Sequence, residues 1–212
     1  MDDHMLSGLH GGSVVWSEEF NGAAGLPVDP AIWQPEVGGH GWGNRELQCY
    51  TDSTENAALD GSGNLAIVVR RPDRQQREGR FGGCEYTSAR LTTKDRVAFS
   101  YGLVQARIRL PRGRGVWPAF WMLGQNIDEV GWPQCGEIDV MENFGKDPKV
   151  VHGTVHGPGY AGAAGITASH EAEASLADDF HVYSVHWEPG RIRWYLDDEL
   201  YSTLTPDDLQ GN

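Results

Sequence analysis

The sequence predicts an all-β protein built as a sandwich of short strands. Short strand-like segments recur along the 212 residues, glycines and prolines separate them, and no long amphipathic helical pattern is found. A chain of this length is natural for a single β-sandwich. We therefore expect strands at residues 14–20, 64–70, 86–92, 102–110, 119–123, 137–142, 150–156, 181–188, 191–196 and 199–203.

The connections between these segments also have recognisable turn residues. Pro189-Gly190 predicts a tight hairpin turn between strands 181–188 and 191–196. Asp197-Asp198 predicts a second turn before the last strand. The Gly- and Ala-rich stretch 157–165 is interpreted as a mobile loop at the rim of a cleft.

The segment 137–142 places three acids among apolar residues. In an unbroken strand the side chains alternate between faces, so Glu142 would lie opposite Glu137 and Asp139 and enter the core. Buried carboxylates are costly unless they have a function. A β-bulge at Val140-Met141 would return Glu142 to the face of the other two acids, and the sequence therefore predicts that bulge.

Three acids on one face indicate a chemistry. A retaining glycosidase holds two carboxyl groups about 5 to 5.5 Å apart, one to attack the anomeric carbon and one to protonate the leaving oxygen. We assign Glu137 as the nucleophile and Glu142 as the acid/base, because the negative field of Glu137 and Asp139 is expected to keep Glu142 protonated. Asp139 is expected to hydrogen-bond Glu137 and tune the pair. The spacing alone leaves an acidic edge strand or a metal site as alternatives.

Tryptophans are concentrated in the segments just before the acids. An indole that covers the apolar C–H face of a sugar contributes about 2.5 kcal/mol at most. Alternation places Trp117 and Trp121 on one face and Phe120 on the other, so we expect the two tryptophans to face substrate and Phe120 to lie in the core. Trp132 is a third candidate platform. The alternative is that these rings are simply core residues.

An ordered set of motifs extends along most of the chain. They are Trp16–Phe20, Gly41–Gln48, Tyr86–Leu91, Tyr101-Gly102, Trp117–Leu123, Gly136–Asn143, His152–His156, Asp179–Tyr183, Trp187–Pro189 and Asp197. Together they resemble the glycoside hydrolase family 16 endo-β-1,3-glucanases, or laminarinases. The resemblance implies a concanavalin-like β-jelly-roll sandwich of two curved antiparallel sheets, with a cleft across the concave sheet. It also implies retention of anomeric configuration and the roles given above to the three acids.

The resemblance extends to substrate-binding residues. It implies that the negative subsites or the catalytic centre are lined by Asn44, Arg90, Trp117, Trp121 and His156. Asparagine and arginine can donate hydrogen bonds to sugar hydroxyls or to a carboxylate. The alternatives are an ordinary turn residue for Asn44 and a surface strand residue for Arg90.

The other histidines and the cysteines carry less information. Structural roles are expected for His152, His181 and His186. The chain has an odd number of cysteines, so at most one disulfide forms within it and at least one thiol is left over among Cys49, Cys84 and Cys135. Cys135 is interpreted as a small packed residue, because no thiol-activating arrangement is evident.

Composition limits the partners. The net charge of −13 argues against nucleic acid, and the absence of an apolar run of 18 residues argues against a membrane span. Residues 1–12 are interpreted as a leader or disordered segment, and residues 13–212 as a family 16 catalytic domain that is short at its C-terminus. Secretion is expected from the resemblance and from a polymeric substrate, although the chain carries no signal peptide pattern.

The chain departs from the family pattern after Leu200-Tyr201, where family members continue into further strands. Three explanations are open: a truncated or split product, a second chain that supplies those strands, or a sequence that is incomplete. No cofactor is expected for the chemistry, and the departure argues against the structural calcium of the family, because one of its ligands comes from the final strand.

The leading expectation is an endo-acting retaining β-1,3-glucanase that cleaves laminarin-like glucans. The alternatives are a noncatalytic β-glucan-binding module on the same fold and a mixed-linkage β-1,3-1,4-glucanase. The mixed-linkage branch resembles Glu-x-Asp-x-Glu without the bulge, whereas this chain has Glu-x-Asp-x-x-Glu.

Overall fold

A computed structural model describes residues 12–73 and 83–209. The contacts divide the chain into two compact units, one ending at Ala98 and one beginning at Phe99. No helix in the described ranges has the length and apolarity needed to cross a membrane.

The first unit contains three short strand pairs, each strand three residues long. The strands are β1 (Gln34–Glu36), β2 (Gln48–Tyr50), β3 (Ala57–Leu59), β4 (Leu65–Ile67), β5 (Tyr86–Ser88) and β6 (Arg90–Thr92). β1 pairs antiparallel with β6, β3 pairs antiparallel with β4, and β2 pairs parallel with β5.

Several sequence predictions for this unit need correction. The predicted strands 64–70 and 86–92 are shortened to β4 and to the pair β5 and β6. The predicted strand 14–20 is wrong, because none of the described residues pairs with this segment and Val14, Val15 and Trp16 are exposed. An alternating pattern stabilises a strand only when a neighbouring strand takes up its backbone hydrogen bonds.

Two features tie the first unit together. Cys49 on β2 forms a disulfide with Cys84, just before β5, and Cys135 in the second unit is a free thiol. Buried Asn56 accepts a hydrogen bond from the Thr51 hydroxyl at 2.7 Å and donates to the Val68 carbonyl oxygen at 2.9 Å. These links substitute for extended strand pairing between segments that are far apart in the sequence.

The second unit is a sandwich of two four-stranded antiparallel sheets. The acid-bearing sheet has the order β11-β10-β9-β8, with β8 (Ala119–Leu123), β9 (Glu137–Glu142), β10 (Val150–His156) and β11 (Ile166–Glu171). The other sheet has the order β14-β13-β12-β7, with β7 (Gly102–Ile108), β12 (His181–Glu188), β13 (Arg191–Leu196) and β14 (Glu199–Leu204). A four-residue helix, Ile127–Val130, and two short 3-10 turns, Gly162–Ala164 and Pro206–Leu209, complete the described elements.

The core lies between these two sheets. The acid-bearing sheet contributes Val140, Met141, Val151 and Val155, and the other sheet contributes Tyr183, Val185, Trp194 and Leu196. The Trp194 indole donates a hydrogen bond across the core to the Asp139 carbonyl oxygen at 2.9 Å. The core face of the acid-bearing sheet is therefore stabilised by packed apolar side chains and by the hydrogen bond from Trp194 to Asp139.

The hairpin turns occur where the sequence predicts them. Glu188 pairs with Arg191 around Pro189-Gly190, and Gly190 has a positive φ of 75°. Asp197 and Asp198 both have positive φ between β13 and β14, as a two-residue hairpin turn requires.

Candidate active site

The predicted bulge in β9 is confirmed. Glu142 lies opposite His152 on β10, whereas Asp139 lies opposite Thr154, so Gly153 alone faces both Val140 and Met141. Val140 and Met141 are each 1% exposed and belong to the core. An extra residue is inserted into β9 at this point, and Glu142 returns to the face that carries Glu137 and Asp139.

Gly153 makes room for this arrangement. A Cβ at position 153 would lie 2.4 Å from Cδ1 of Trp194, the residue that bonds the Asp139 carbonyl. The bulge and the core tryptophan therefore pack together only because β10 carries a glycine at that position.

The strand register defines two faces of the acid-bearing sheet. On the acid face, three rows of paired residues lie side by side: Leu123, Glu137 and His156; Trp121, Asp139 and Thr154; Ala119, Glu142 and His152. On the opposite face, Phe120, Met122 and Ile138 pack against the core. The prediction that Trp121 and Phe120 lie on opposite faces of the sheet is confirmed.

Glu137 is held by two hydrogen bonds. The Trp132 indole donates to Oε2 of Glu137 at 2.5 Å, and the Asp139 side chain is hydrogen-bonded to Glu137. Trp132 is itself 47% exposed, so it contacts the carboxylate with its edge while its ring remains open to solvent. Both contacts orient the Glu137 carboxylate as an acceptor of hydrogen bonds.

Asp139 is the buried member of the three, with only 3% of its surface exposed. Burial, followed by the charges of Glu137 and Glu142, raises the pKa of Asp139 far above its ordinary value. Asp139 therefore keeps its proton at neutral pH and donates it in the hydrogen bond to Glu137. Oδ2 of Asp139 lies 3.3 Å from Nε2 of His156.

Glu142 has a different environment. The Trp117 indole donates to its Oε1 at 2.9 Å, and the Thr154 hydroxyl lies 3.5 Å from Oε2. Burial is the largest influence and raises the pKa of Glu142, with a smaller upward effect from the charge of Glu137, while the bonds from Trp117 and Thr154 and the nearby His156 act downward. The predicted upward shift in the pKa of Glu142 is confirmed, but its predicted cause is corrected. Burial has a larger effect than the negative field of the neighbouring acids, and protonated Asp139 adds little negative charge to that field.

His156 is largely buried, with 14% of its side chain exposed. Its Nδ1 is buried without a hydrogen-bond partner in the described parts of the chain, and its ring centroid lies 6.0 Å from that of Trp132. A Cβ on Gly165 would lie 2.3 Å from Cε1 of His156. Gly165 has φ −56° and ψ 148°, which any residue adopts, so the glycine is needed for space alone.

The three predicted tryptophans all belong to the acid face. Trp117 and Trp132 bond Glu142 and Glu137, and Trp121 pairs in register with Asp139. Trp117 is 43% exposed, and its ring packs against Phe144 in a tilted contact with a centroid distance of 5.6 Å. Contact with substrate stays a prediction.

Asn44 and Arg90 belong to the first unit. Asn44 donates to Glu46 at 3.2 Å, and Arg90 forms an ion pair with Glu36 while its guanidinium lies 4.8 Å above the Trp42 ring. Arg90 is therefore fixed by its contacts with Glu36 and Trp42, unlike a freely moving surface arginine. Their role in substrate binding stays a prediction.

Sequence reasoning missed three residues of this site: Thr154, Phe144 and His152. Thr154 is 2% exposed and contacts Glu142, and the His152 ring makes a tilted contact with Phe144, with centroids 5.3 Å apart. The Nδ1 of His152 lies 2.7 Å from the Ser169 hydroxyl, as a satisfied structural histidine would, yet its register places it beside Glu142. Alternation along His152–His156 carried the signal, because it puts positions 152, 154 and 156 on one face.

One group of metal-ligand atoms also lies in this site. Ligand atoms of Glu137, Asp139 and His156 lie within 4.8 Å of one another. The Asp139 proton and the Trp132 N–H already satisfy the Glu137 carboxylate, so these residues do not form a set of free ligands. The arrangement fits acid/base chemistry better than ion binding.

The fold and the site define the class of protein: a β-sandwich with a carboxylate triad on one sheet face, as found in glycoside hydrolases. A sequence model described as "Glycosyl hydrolases family 16" matches residues 44–212. The chain belongs to this family, and its fold is the predicted jelly-roll sandwich of two curved antiparallel sheets.

Named relatives and a solved structure agree with this assignment. The chain is 48% identical to a β-glucanase of Rhodothermus marinus over 191 residues, and 40% identical to a glucan endo-1,3-β-glucosidase of Cryptopygus antarcticus over 215 residues. These alignments cover 89% and 96% of this chain but 64% and 72% of the relatives. The crystal structure of the laminarinase catalytic domain of Thermotoga maritima MSB8 superposes with a TM-score of 0.82 at 44% identity, covering 93% of this chain and 78% of that one.

Proposed function

We propose that this protein hydrolyses internal β-1,3-glucosidic bonds of laminarin-like glucans with retention of configuration. The observation that carries the proposal is the β9 bulge, which puts Glu137, Asp139 and Glu142 on one face in three different environments. Glu137 is oriented by hydrogen-bond donors, Asp139 is protonated by burial, and Glu142 has a raised pKa.

In the first step, Glu137 attacks the anomeric carbon of the sugar and forms a covalent glycosyl ester. The bond from that carbon to the glycosidic oxygen breaks, and Glu142 gives its proton to the departing oxygen. Burial favours the protonated form of Glu142, so the acid is ready when substrate binds.

In the second step, Glu142 acts as a base. Formation of the ester removes the negative charge of Glu137, which is one of the influences that raise the pKa of Glu142. Deprotonated Glu142 then takes a proton from water, the water oxygen attacks the anomeric carbon, and Glu137 leaves. Two inversions give net retention.

Asp139 acts through Glu137 as a positioning residue. Its carboxyl group is hydrogen-bonded to the nucleophile, and its Oδ2 lies 3.3 Å from Nε2 of His156. A neutral Asp139 supports Glu137 without placing a second negative charge beside the attacking oxygen. Two negative charges at this distance would repel each other.

The substrate class follows from the aromatic residues and from the family. Trp117, Trp121 and Trp132 surround the acids and suit the apolar faces of neutral sugars, in agreement with a net charge of −13. We assign sugar binding also to His156, Asn44 and Arg90. Two relatives at 40% and 38% identity are named glucan endo-1,3-β-glucosidases, and these names together with the Glu-x-Asp-x-x-Glu spacing favour β-1,3 over mixed-linkage glucans.

A polymeric substrate implies action outside the cell. The Cys49–Cys84 disulfide supports this, since such bonds persist in oxidising compartments. The mechanism above uses side chains alone, so we propose that no cofactor takes part. Treatment with a chelator is expected to leave the rate of laminarin hydrolysis unchanged, and a loss restored by calcium would contradict this.

The proposal is tested by reducing-sugar release from laminarin. The wild type should be active, Glu137→Ala should lose activity by at least about 10³-fold, and Glu129→Ala, an exposed acid on the short helix, should match the wild type. Activity that survives in Glu137→Ala would contradict the proposal. Glucan binding by the wild type without hydrolysis would point to a binding module instead.

A further inference from the structure

A pocket of about 250 Å³ lies beside the acid/base in the second unit. It is lined by Gly115, Val116, Trp117, Phe144, Gly145 and Lys146. The loop before β8 and the turn after β9 form its two sides, and no step of the mechanism above uses it.

The two sides of this pocket are held in close backbone contact. The Gly145 N–H donates to the Val116 carbonyl oxygen at 2.9 Å. A Cβ on Gly145 would lie 1.9 Å from the Gly113 carbonyl oxygen and 2.5 Å from Cγ2 of Val116, so the contact requires glycine. The pocket is therefore part of the packed fold.

The aromatic rings of the pocket lead directly to Glu142. Trp117 contributes its ring to the pocket and its N–H to Oε1 of Glu142 at 2.9 Å. Phe144 lies between Trp117 and His152 in tilted ring contacts, with centroid distances of 5.6 and 5.3 Å. Glu137 has its own tryptophan, Trp132, so each carboxyl group has a different aromatic neighbour.

This placement indicates which sugar the pocket takes. The acid/base must touch the oxygen that leaves, so the sugar attached to that oxygen lies next to Glu142. The exposed rings of Trp117 and Phe144 offer that sugar an apolar surface, and the exposed Lys146 ammonium offers donors to its hydroxyls.

We propose that the Trp117–Phe144 pocket binds the neutral glucosyl residue that departs with the leaving oxygen, and that Phe144 is its specificity-determining ring. The inference rests on the proposed function. The same pocket can also bind an incoming sugar during the second step. A hydroxyl of that sugar then replaces water as the attacking group, and the product is a longer glucan formed by transfer.

The test compares two substrates that differ only in the leaving group. Laminaritriose, the oligosaccharide, loses glucose from a laminaribiosyl group, whereas β-laminaribiosyl fluoride loses fluoride from the same group and places no sugar in the pocket. For Phe144→Ala, kcat/KM on the oligosaccharide should fall on the order of tenfold, mainly through KM, while the value for the fluoride should fall by less than about threefold.

Two further measurements separate binding from folding. Phe144→Leu keeps an apolar side chain without the ring face and should show the same selective loss, and Phe99→Ala, at another exposed phenylalanine of the second unit, should affect neither substrate. With the fluoride as donor, added laminaribiose should yield less transfer product in Phe144→Ala than in the wild type.

Equal losses on both substrates, or no loss on the oligosaccharide, would overturn the inference and leave the proposed function standing. A wild type that turns over neither substrate would overturn the proposed function, and the inference with it.

Discussion

A single methyl group at Gly165 is expected to disturb the catalytic centre through His156. In Gly165→Ala the new Cβ would lie 2.3 Å from Cε1 and 2.5 Å from Nδ1 of His156, whereas ordinary contact begins at 3.4 Å. The ring must therefore move by about 1.1 Å, which is a third of the 3.3 Å between Nε2 and Oδ2 of Asp139. The contact with Asp139 changes whichever way the ring turns.

Asp139 bonds the nucleophile, so this displacement reaches Glu137. A misplacement of roughly 1 Å in a catalytic arrangement can cost about 10²-fold in rate, and we expect kcat/KM on laminarin to fall on the order of 10- to 100-fold. The backbone of Gly165 suits alanine, so any loss of stability comes from the contact with His156, and the melting temperature lost in Gly165→Ala should be largely recovered in the His156→Ala background.

The assay is a double-mutant cycle with His156→Ala. In that background the methyl group has room, so Gly165→Ala should cost less than about threefold. Ala164→Ser, on the exposed neighbouring residue, is the control. Wild-type activity in Gly165→Ala, or the same loss with and without His156, would refute the reasoning.

Three other predictions concern the carboxyl groups. Trp117→Phe removes an N–H that favours the charged form of Glu142, so the basic limb of the kcat/KM–pH profile should move to higher pH; a limb that stays or moves down would contradict the assignment. Glu142→Ala should still form the glycosyl ester from activated substrates, and azide should restore turnover with retained configuration. An inverted azide product would instead identify Glu142 as the nucleophile. The raised pKa of Asp139 means that the folded state holds a proton that the unfolded state releases near pH 4, so stability should fall as pH rises from there toward neutrality and beyond. Melting temperatures of Asp139→Asn should fall less steeply with pH than those of the wild type, and parallel curves would count against a buried proton.

The second unit was largely predictable because its strands alternate clearly and end at strong turn residues. The predicted strands 119–123, 137–142, 150–156, 181–188 and 191–196 have the bounds that the structure shows. The bulge could be predicted because the alternative would bury Glu142 in the core. β11 was missed because Ile166–Glu171 has few large apolar residues and follows a glycine-rich loop.

The first unit was less predictable for a physical reason. Its strands are three residues long, too short for alternation to show, and the parallel pairing of β2 with β5 depends on contacts between distant segments. Its disulfide could not be assigned from three cysteines, since three pairings were open.

Within the site, residue types were predictable but environments were not. Alternation placed Trp121 on the acid face, yet it could not show that burial, rather than neighbouring charge, is the main reason for the raised pKa of Glu142. It also could not reveal Gly165, because the contact with His156 arises from how a loop folds back on β10.

The central claim is that the β9 bulge makes Glu137 the nucleophile and Glu142 its acid/base. It is tested most directly by trapping the enzyme with a 2-deoxy-2-fluoro laminaribioside that carries a good leaving group, and by locating the label with peptide mass spectrometry. The account predicts one sugar attached to Glu137. A label on Asp139 or Glu142 would contradict it.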